Sequence, residues 1–478
     1  MTVTASPPPP AGRLQTPEQV LTVAQMQAAE QALIDAGTSI ETLMDIAGRG
    51  AAEWGWRLSG GREVTVLCGP GNNGGDGYVI AEAIREKGGV ARVVAATEPK
   101  TDAARNARSL FGGEVLGPEA RVHGEVFVDC LFGSGLTRAL TDEHFALLTR
   151  LAASHHQRVA IDLPSGVQSD TGAMLNEGLP QYDLTICLGA WKYAHFLMPA
   201  AASTGAQRLV GIGVDPVAGA AQRIGKPGIA APAADAHKYR RGLLAVVGGA
   251  MPGAALLAAR AAQRAGAGYV KLFTDRAEGA PHDLVVETGP LSDVLTDDRN
   301  RAILVGPGLG RDAAALERLV TALADSVPAV IDADGLAILG ARLLAGREAE
   351  TIATPHEGEL ATLEKAFGLS GEGAKPARAL ALAQASGMVI VAKGPDTVVA
   401  APDGRLALAP PASSWLSVAG TGDVLAGIVA SRLAAGCDAF AAACEGVWLH
   451  GEAARLAGAA FTAVDLAETV PGAIAACL

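Results

Sequence analysis

The chain is poor in aromatic residues: Phe, Trp and Tyr make up 4% of its 478 positions. It also lacks a basic excess, with a formal net charge of −12. Phosphate backbones select basic surfaces, so nucleic acid is excluded as the main partner. Small anionic ligands are not excluded, because they read a few local groups and not the global sum. The six cysteines (Cys68, Cys130, Cys187, Cys437, Cys444 and Cys477) show no C-x-x-C spacing. Neither zinc nor a disulfide framework is indicated, and a reducing cytosol fits. No uninterrupted apolar stretch approaches the roughly 20 residues needed to cross a bilayer. Residues 1–14 carry the Pro7–Pro10 run and no apolar core, so a disordered tail is expected there and not a signal peptide. A cytoplasmic protein with no membrane partner is expected. The chain also lacks a G-x-G-x-x-G fingerprint and an internal repeat.

What the sequence does contain is α/β patterning, twice over. From Thr16 to about Glu53 the apolar spacing is helical, with Thr16-Pro17-Glu18 as a start signal. The strand Glu63–Cys68 then runs into the glycine-rich loop Gly69–Gly77, a helix Tyr78–Glu86 and a strand Val90–Ala95. Such a unit implies a parallel sheet with a right-handed crossover. Buried strands follow at Val126–Asp129, Val159–Asp162 and Leu184–Leu188, and Leu209–Val214 closes the first domain. Residues 217–235 read as a linker between a domain at 15–216 and another at 236–478. The second half holds strands near Gly242–Gly249, Tyr269–Phe273, Ala302–Val305, Ala329–Asp332, Thr351–Ala353, Met388–Ala392 and Thr397–Ala400. Two three-layer αβα domains are expected, the second with the larger sheet.

The candidate sites cluster at strand ends, where ligands bind in open α/β sheets. In Ala419-Gly420-Thr421-Gly422-Asp423, glycines precede an apolar helix, so main-chain N–H groups form an anion site at its N-terminus. Asp423 stands where it can take a proton from a substrate hydroxyl. An anion hole beside a base suits phosphoryl transfer to an alcohol. In the first half, the paired asparagines of Asn72–Gly77 add carbonyl acceptors suited to a cation or to sugar hydroxyls. Asp129 and Asp162 end neighbouring strands, with the loop Phe132–Thr137 between them and Ser165 just beyond. Asp129, Asn73 and Ser165 could hold a cation by oxygens alone, leaving Asp162 as the acid/base group. In the second half, Gly306–Gly310 permits close approach of a ligand. Thr354–Glu359 places His356 beside two acids, and Lys393–Thr397 suits a nucleotide phosphate. The remaining histidines, His155, His156 and His450 among them, read as surface or packing residues.

These motifs, in this order, resemble a known family. The helix Leu21–Gly48, the loop Gly69–Gly77, Asp129–Thr137 and Ile161–Gly166 are similar to a Rossmann-like NAD(P)H-hydrate epimerase domain. His237–Tyr239, Val247–Ala255, Gly306–Gly310, Asp332–Gly335, Thr354–Leu360, Lys393–Thr397 and Gly420–Asp423 resemble an ADP/ATP-dependent NAD(P)H-hydrate dehydratase of the ribokinase-like superfamily. The resemblance implies a bifunctional repair enzyme acting on hydrated NADH and NADPH. One site would interconvert the R and S hydrates, and the other would dehydrate the S form while ADP becomes AMP. By motif match, Asp162 is the acid/base of the first site. Asn72, Asn73, Gly74, Gly75, Asp76, Gly133, Ser134, Gly135, Leu136, Thr137, Arg138 and Ala139 would contact its substrate. Potassium would sit on Asn73, Asp129 and Ser165. In the second site Asp423 would be the base, and Ala254, Gly308 and His356 would line the hydrate pocket. Lys393, Gly394, Pro395, Asp396, Thr397 and Gly422 would follow the nucleotide, with Mg²⁺ on its phosphates. A homo-oligomer is also expected. One segment departs from the family: Ser413–Val418 stands where an Asn-x-Gly often precedes the glycine-rich loop.

Two other readings compete. A small-molecule kinase would explain Gly420–Asp423 but leave the first half without a task. A non-catalytic first half would leave both Asp129 and Asp162 unexplained.

Overall fold

A computed structural model describes residues 18–239, 241–275, 279–324 and 326–478. The tail expected at 1–14, with Thr16 and Pro17, lies outside the described residues. The chain divides into two compact units, Met1–Ala220 and Ala221–Leu478.

The first unit opens differently from the expected continuous helix. Gln19–Leu21 is a short strand that pairs in parallel with Trp191–Lys192. The helix Val23–Asp35 starts at Thr22, whose hydroxyl accepts from Gln25 N while the Gln25 side chain accepts from Thr22 N. That reciprocal cap sets the start. A second helix, Ile40–Ser59, is capped by Ser39. The 7-stranded sheet runs Val115–Leu116, Ala91–Ala95, Val64–Cys68, Gly124–Cys130, His155–Ile161, Leu184–Leu188, Ala206–Val210, with every pairing parallel. Val64, Val66 and Cys68 face a core holding Ala51 and Ile80. Leu67, Val94 and Phe127 face another with Leu148 and Leu151. The sheet is therefore covered on both faces, the middle of three layers.

The expected loop Asn72–Gly77 is not a loop. The helix begins at Asn72 and runs to Glu86, with Gly71 as its N-cap. Its glycines serve contact and not turning. A Cβ on Gly74 would lie 1.9 Å from Gly69 O, and one on Gly77 2.7 Å from Cys68 Sγ. A Cβ on Gly75 would meet Met44 at 2.5 Å. The absent side chains let the helix start press onto the strand end.

In the second unit the order is Val285–Glu287, Tyr269–Phe273, Leu243–Val247, Asn300–Val305, Ala329–Ile331, Thr351–Ala353, Val389–Ala392, Val398–Ala400, Leu406–Leu408, Ala221–Arg223. Only Val398–Ala400 runs antiparallel to its neighbours. The last strand lies inside the stretch expected as a linker, paired in parallel with Leu406–Leu408. Leu244, Val246, Leu304 and Val330 join a core with Ala258 and Val429 from the helices Pro252–Arg264 and Thr421–Ala434. Both units have the α/β architecture expected of them.

Candidate active sites

In each unit the chain leaves one central parallel strand in one direction and later returns on its other side. The carboxyl ends of those two adjacent strands form a crevice, the usual ligand position in open sheets.

In the first unit these strands are Val64–Cys68 and Gly124–Cys130. A cavity of about 770 Å³ opens beyond them. It is lined by Asn72, Asn73, Asp76, Gly133–Ala139, Asp162, Lys192 and Glu30, among others. Asp162 follows its strand at φ 66°, a conformation rare for a residue with a side chain. Surrounding bonds hold it there: its N–H donates to Ile186 O at 2.7 Å, and its carbonyl accepts from His195 Nε2 at 2.9 Å. One carboxylate oxygen accepts from Ser134 N at 2.9 Å and the other from the Lys192 ammonium at 2.5 Å. Lys192 also donates to Leu188 O at 2.5 Å. Burial pushes the Asp162 carboxyl upward, but Lys192 and the Ser134 N–H outweigh it and hold the group below the usual range. Asp76 goes the other way: burial, then the charges of Asp162 and Glu30, push it well above the usual range.

Asn73 has both side-chain polar atoms buried without a hydrogen-bond partner. A buried unpaired amide is costly unless a ligand completes it. Asp129, fully buried, accepts from Leu131 N at 3.0 Å, Ser165 N at 3.0 Å, Ser165 Oγ at 2.8 Å and Tyr182 Oη at 2.5 Å. Ser165 Oγ in turn accepts from Phe132 N at 2.9 Å, beside Gly133, whose absent side chain makes room for Asn73. The oxygen-rich set fits a hard monovalent cation, with Asn73 offering the free oxygen and Asp129 the charge behind it.

In the second unit the crevice lies between Leu243–Val247 and Asn300–Val305. The loops beyond them meet main chain to main chain, with Met251 N donating to Gly308 O at 2.9 Å. Gly308, at φ 63°, has no room for a side chain: a Cβ would lie 2.1 Å from Met251 O and 3.1 Å from Ala254 Cβ. The helix Thr421–Ala434 starts after Gly420, at φ 92°, and carries Asp423 in its first turn. Burial first, then Asp332, push the Asp423 carboxyl up to about 7, against the pull of Lys393. Lys393 Nζ sits 2.7 Å from Asp332 Oδ1 and 3.9 Å from Glu359. A Cβ on Gly422 would be 3.4 Å from that ammonium, so the cation stands at the helix start. His450, half-buried and held neutral with its pKa lowered to about 4 chiefly by desolvation, donates from Nε2 to Thr421 O at 2.9 Å.

The chain matches two family models: YjeF-related protein N-terminus over residues 40–194 and NAD(P)H-hydrate dehydratase over 244–474. A bifunctional NAD(P)H-hydrate repair enzyme of Salinibacter ruber is 34% identical, covering 95% of this chain and 95% of that protein. Its counterpart in Gloeobacter violaceus is 35% identical, covering 94% and 95%. The chain belongs to this family. Its two halves are the epimerase and the dehydratase of hydrated nicotinamide cofactors. The match across both halves sets aside a kinase with a non-catalytic first module. Among solved structures the chain resembles an ADP/ATP-dependent NAD(P)H-hydrate dehydratase from Bacillus subtilis. That likeness has 28% identity and a TM-score of 0.45, over 52% of this chain and 95% of that one.

Placed on this repair enzyme, the expected residues divide. In the epimerase half, Asn72, Asn73, Asp76, Gly133–Ala139 and Asp162 share one cavity. Gly74 and Gly75 do not line it; they are buried packing positions. Asp129 and Ser165 stand behind the wall, bonded to each other. In the dehydratase half, Lys393 reaches the helix start; in the turn after it, Thr397 Oγ1 donates to Gly394 O at 2.8 Å, and Asp396 is ion-paired with Lys375. His356 caps the helix Glu357–Ala366, accepting from Glu359 N at 3.2 Å. His450 is a half-buried packing residue bonded to the start of the helix Thr421–Ala434. Lys192 and His195 of the epimerase half were not foreseen. The available signal was a lysine inside the apolar run Ala190-Trp191-Lys192-Tyr193-Ala194, directly after a sheet strand.

Proposed function

We propose that the cavity at Asp162 interconverts the R and S hydrates and that the crevice at Asp423 dehydrates the S form with ADP, giving AMP and phosphate. The observation that carries the second half is the position of Asp423, a carboxyl raised to about 7 in the first turn of a helix beside Lys393. A base of that strength is half ionised near neutral pH, which suits proton removal from an alcohol. Asp423 takes the proton of the C6 hydroxyl. The oxygen attacks the terminal phosphorus of ADP, and AMP departs with the bond electrons. The N–H groups of Gly420–Gly422 and the Lys393 ammonium meet the charge on the moving phosphoryl group. The C6–O bond then breaks to release phosphate, C5 loses a proton, and the ring double bond returns. Mg²⁺, when bound with ADP, neutralises phosphate charge. Ala254 and Gly308 shape the hydrate pocket.

In the first site a potassium ion would be held by Asn73, with Asp129 and Ser165 behind it, supplying positive charge beside the substrate. Cytoplasmic location and a homo-oligomer belong to the same reading; among the described residues no helix is long and apolar enough to cross a membrane. The test is incubation with mixed hydrate epimers, ADP and Mg²⁺, with and without potassium. Full recovery of dihydronicotinamide absorbance, faster with potassium, is expected. Recovery of half the pool, or none, contradicts the reading.

A further inference from the structure

Three carboxyl groups line the epimerase cavity, Glu30, Asp76 and Asp162, and among the described residues only Asp162 is engaged by hydrogen bonds from the protein. Asp162 is gripped by Lys192 and by Ser134 N. Asp76 is 9% exposed, lines the same cavity, and has no side-chain hydrogen-bond partner among the described residues. Lys192 is itself fixed from two sides. Its ammonium is held by Leu188 O, and its main-chain N–H donates to His195 Nδ1 at 3.0 Å. The other nitrogen of that ring donates to Asp162 O, so one neutral imidazole ties the lysine to the aspartate.

We propose that Asp76 is a second catalytic residue of the epimerase, the proton donor to the departing C6 hydroxyl, and that Lys192 is the positioning residue that keeps Asp162 as the base. The inference rests on the epimerase reading of this site. In the step, Asp76 gives its proton to the C6 hydroxyl and the C6–O bond breaks toward oxygen, releasing water. The lone pair of the ring nitrogen N1 forms the N1=C6 bond of an iminium ion. A water molecule adds to the opposite face of C6, N1 regains its pair, and the attacking water loses a proton to Asp162. Proton exchange with solvent resets the two carboxyls. The opposite shifts of the two groups support this division: burial favours the protonated form of Asp76, whereas Lys192 favours the ionised form of Asp162. The groups facing Asp76 are Asp162, Glu30, Lys192 and Cys68.

The test uses the full chain with purified R hydrate. Asp76→Asn is expected to lower the kcat of epimerisation about 10²–10⁴-fold while KM changes less than about threefold, and Asp76→Glu is expected to restore part of the rate. Lys192→Met is expected to lower kcat as well and to move the acidic limb of its pH profile upward, as Asp162 loses its cation. Should Asp76→Asn fail to fold, Asp76→Glu decides: a kcat lowered and an alkaline limb displaced from that of the wild type are expected, and a kcat and pH profile both identical to the wild type overturn the proposal. Wild-type kcat retained in Asp76→Asn also overturns it and leaves the epimerase reading standing. If the wild-type chain does not epimerise at all, the reading itself falls.

Discussion

Lys192 Nζ lies 2.5 Å from Asp162 Oδ1, with the two side chains 2% and 10% exposed. The pair joins residues 30 positions apart and fixes the charge of the epimerase cavity. Burial alone would drive both groups toward neutrality; each instead stays ionised because of the other. Asp162 has its folded pKa lowered, so its contribution to stability is present above the unfolded aspartate value and is lost as pH falls. Lys192 has its folded pKa raised, so its contribution is present below the unfolded lysine value and is lost as pH rises. Between those two limits Lys192→Met should destabilise the first unit by about 3–5 kcal/mol, because a buried carboxylate loses its partner. Urea unfolding at neutral pH measures this, and an unchanged midpoint would contradict it.

The raised Asp423 carboxyl makes a pH prediction for the dehydratase. Its kcat/KM should rise with pH through about 7 and then level, since the base must lose its proton first. Asp423→Asn should lower dehydration at least about 10²-fold and leave epimerisation near normal. Stability runs the opposite way to activity. Above the ordinary aspartate range the unfolded chain gives up this proton before the folded chain does, so folding weakens as pH rises toward 7. Asp423→Asn should therefore melt higher than the wild type at pH 8 and equally at pH 4.

The two glycines at the start of the epimerase helix should respond unequally to alanine. A Cβ on Gly74 would lie 1.9 Å from Gly69 O, whereas one on Gly71 meets nothing within 4 Å. Gly74→Ala must move main chain, which costs at least about 1–3 kcal/mol and displaces Asn73 and Asp76 with it. Gly71→Ala should cost no more than about 1 kcal/mol, the loss of a better N-cap. Epimerase rates and thermal melting of the two variants make the comparison.

Asn73 carries the potassium prediction. Its buried amide has no protein partner. Asn73→Ala should remove potassium activation of epimerisation while leaving dehydration unchanged. Rates in potassium chloride and in choline chloride, at equal ionic strength, measure the ratio; a ratio retained in the variant places the ion elsewhere.

Much of this was legible in the sequence because strands in a parallel sheet end in the ligand crevice. Asp129, Asp162 and Gly306–Gly310 could be placed from strand ends alone, and Asp423 from the glycines before its helix. Lys192 and His195 could not, because their position depends on pairing between Trp191–Lys192 and Gln19–Leu21, an interaction across some 170 residues. The glycines of Asn72–Gly77 suggested a loop because close packing leaves the same mark on a sequence as a tight turn. His356 read as a ligand contact, yet its ring also supplies a helix cap, a role that a strand-end position does not distinguish.

The most direct test supplies the Asp162→Asn chain with one pure hydrate epimer at a time, together with ADP and Mg²⁺, and follows absorbance. The account predicts wild-type recovery from the S hydrate and, from the R hydrate, recovery at least about 10²-fold slower than with the wild-type chain. Wild-type recovery from the R hydrate would contradict it.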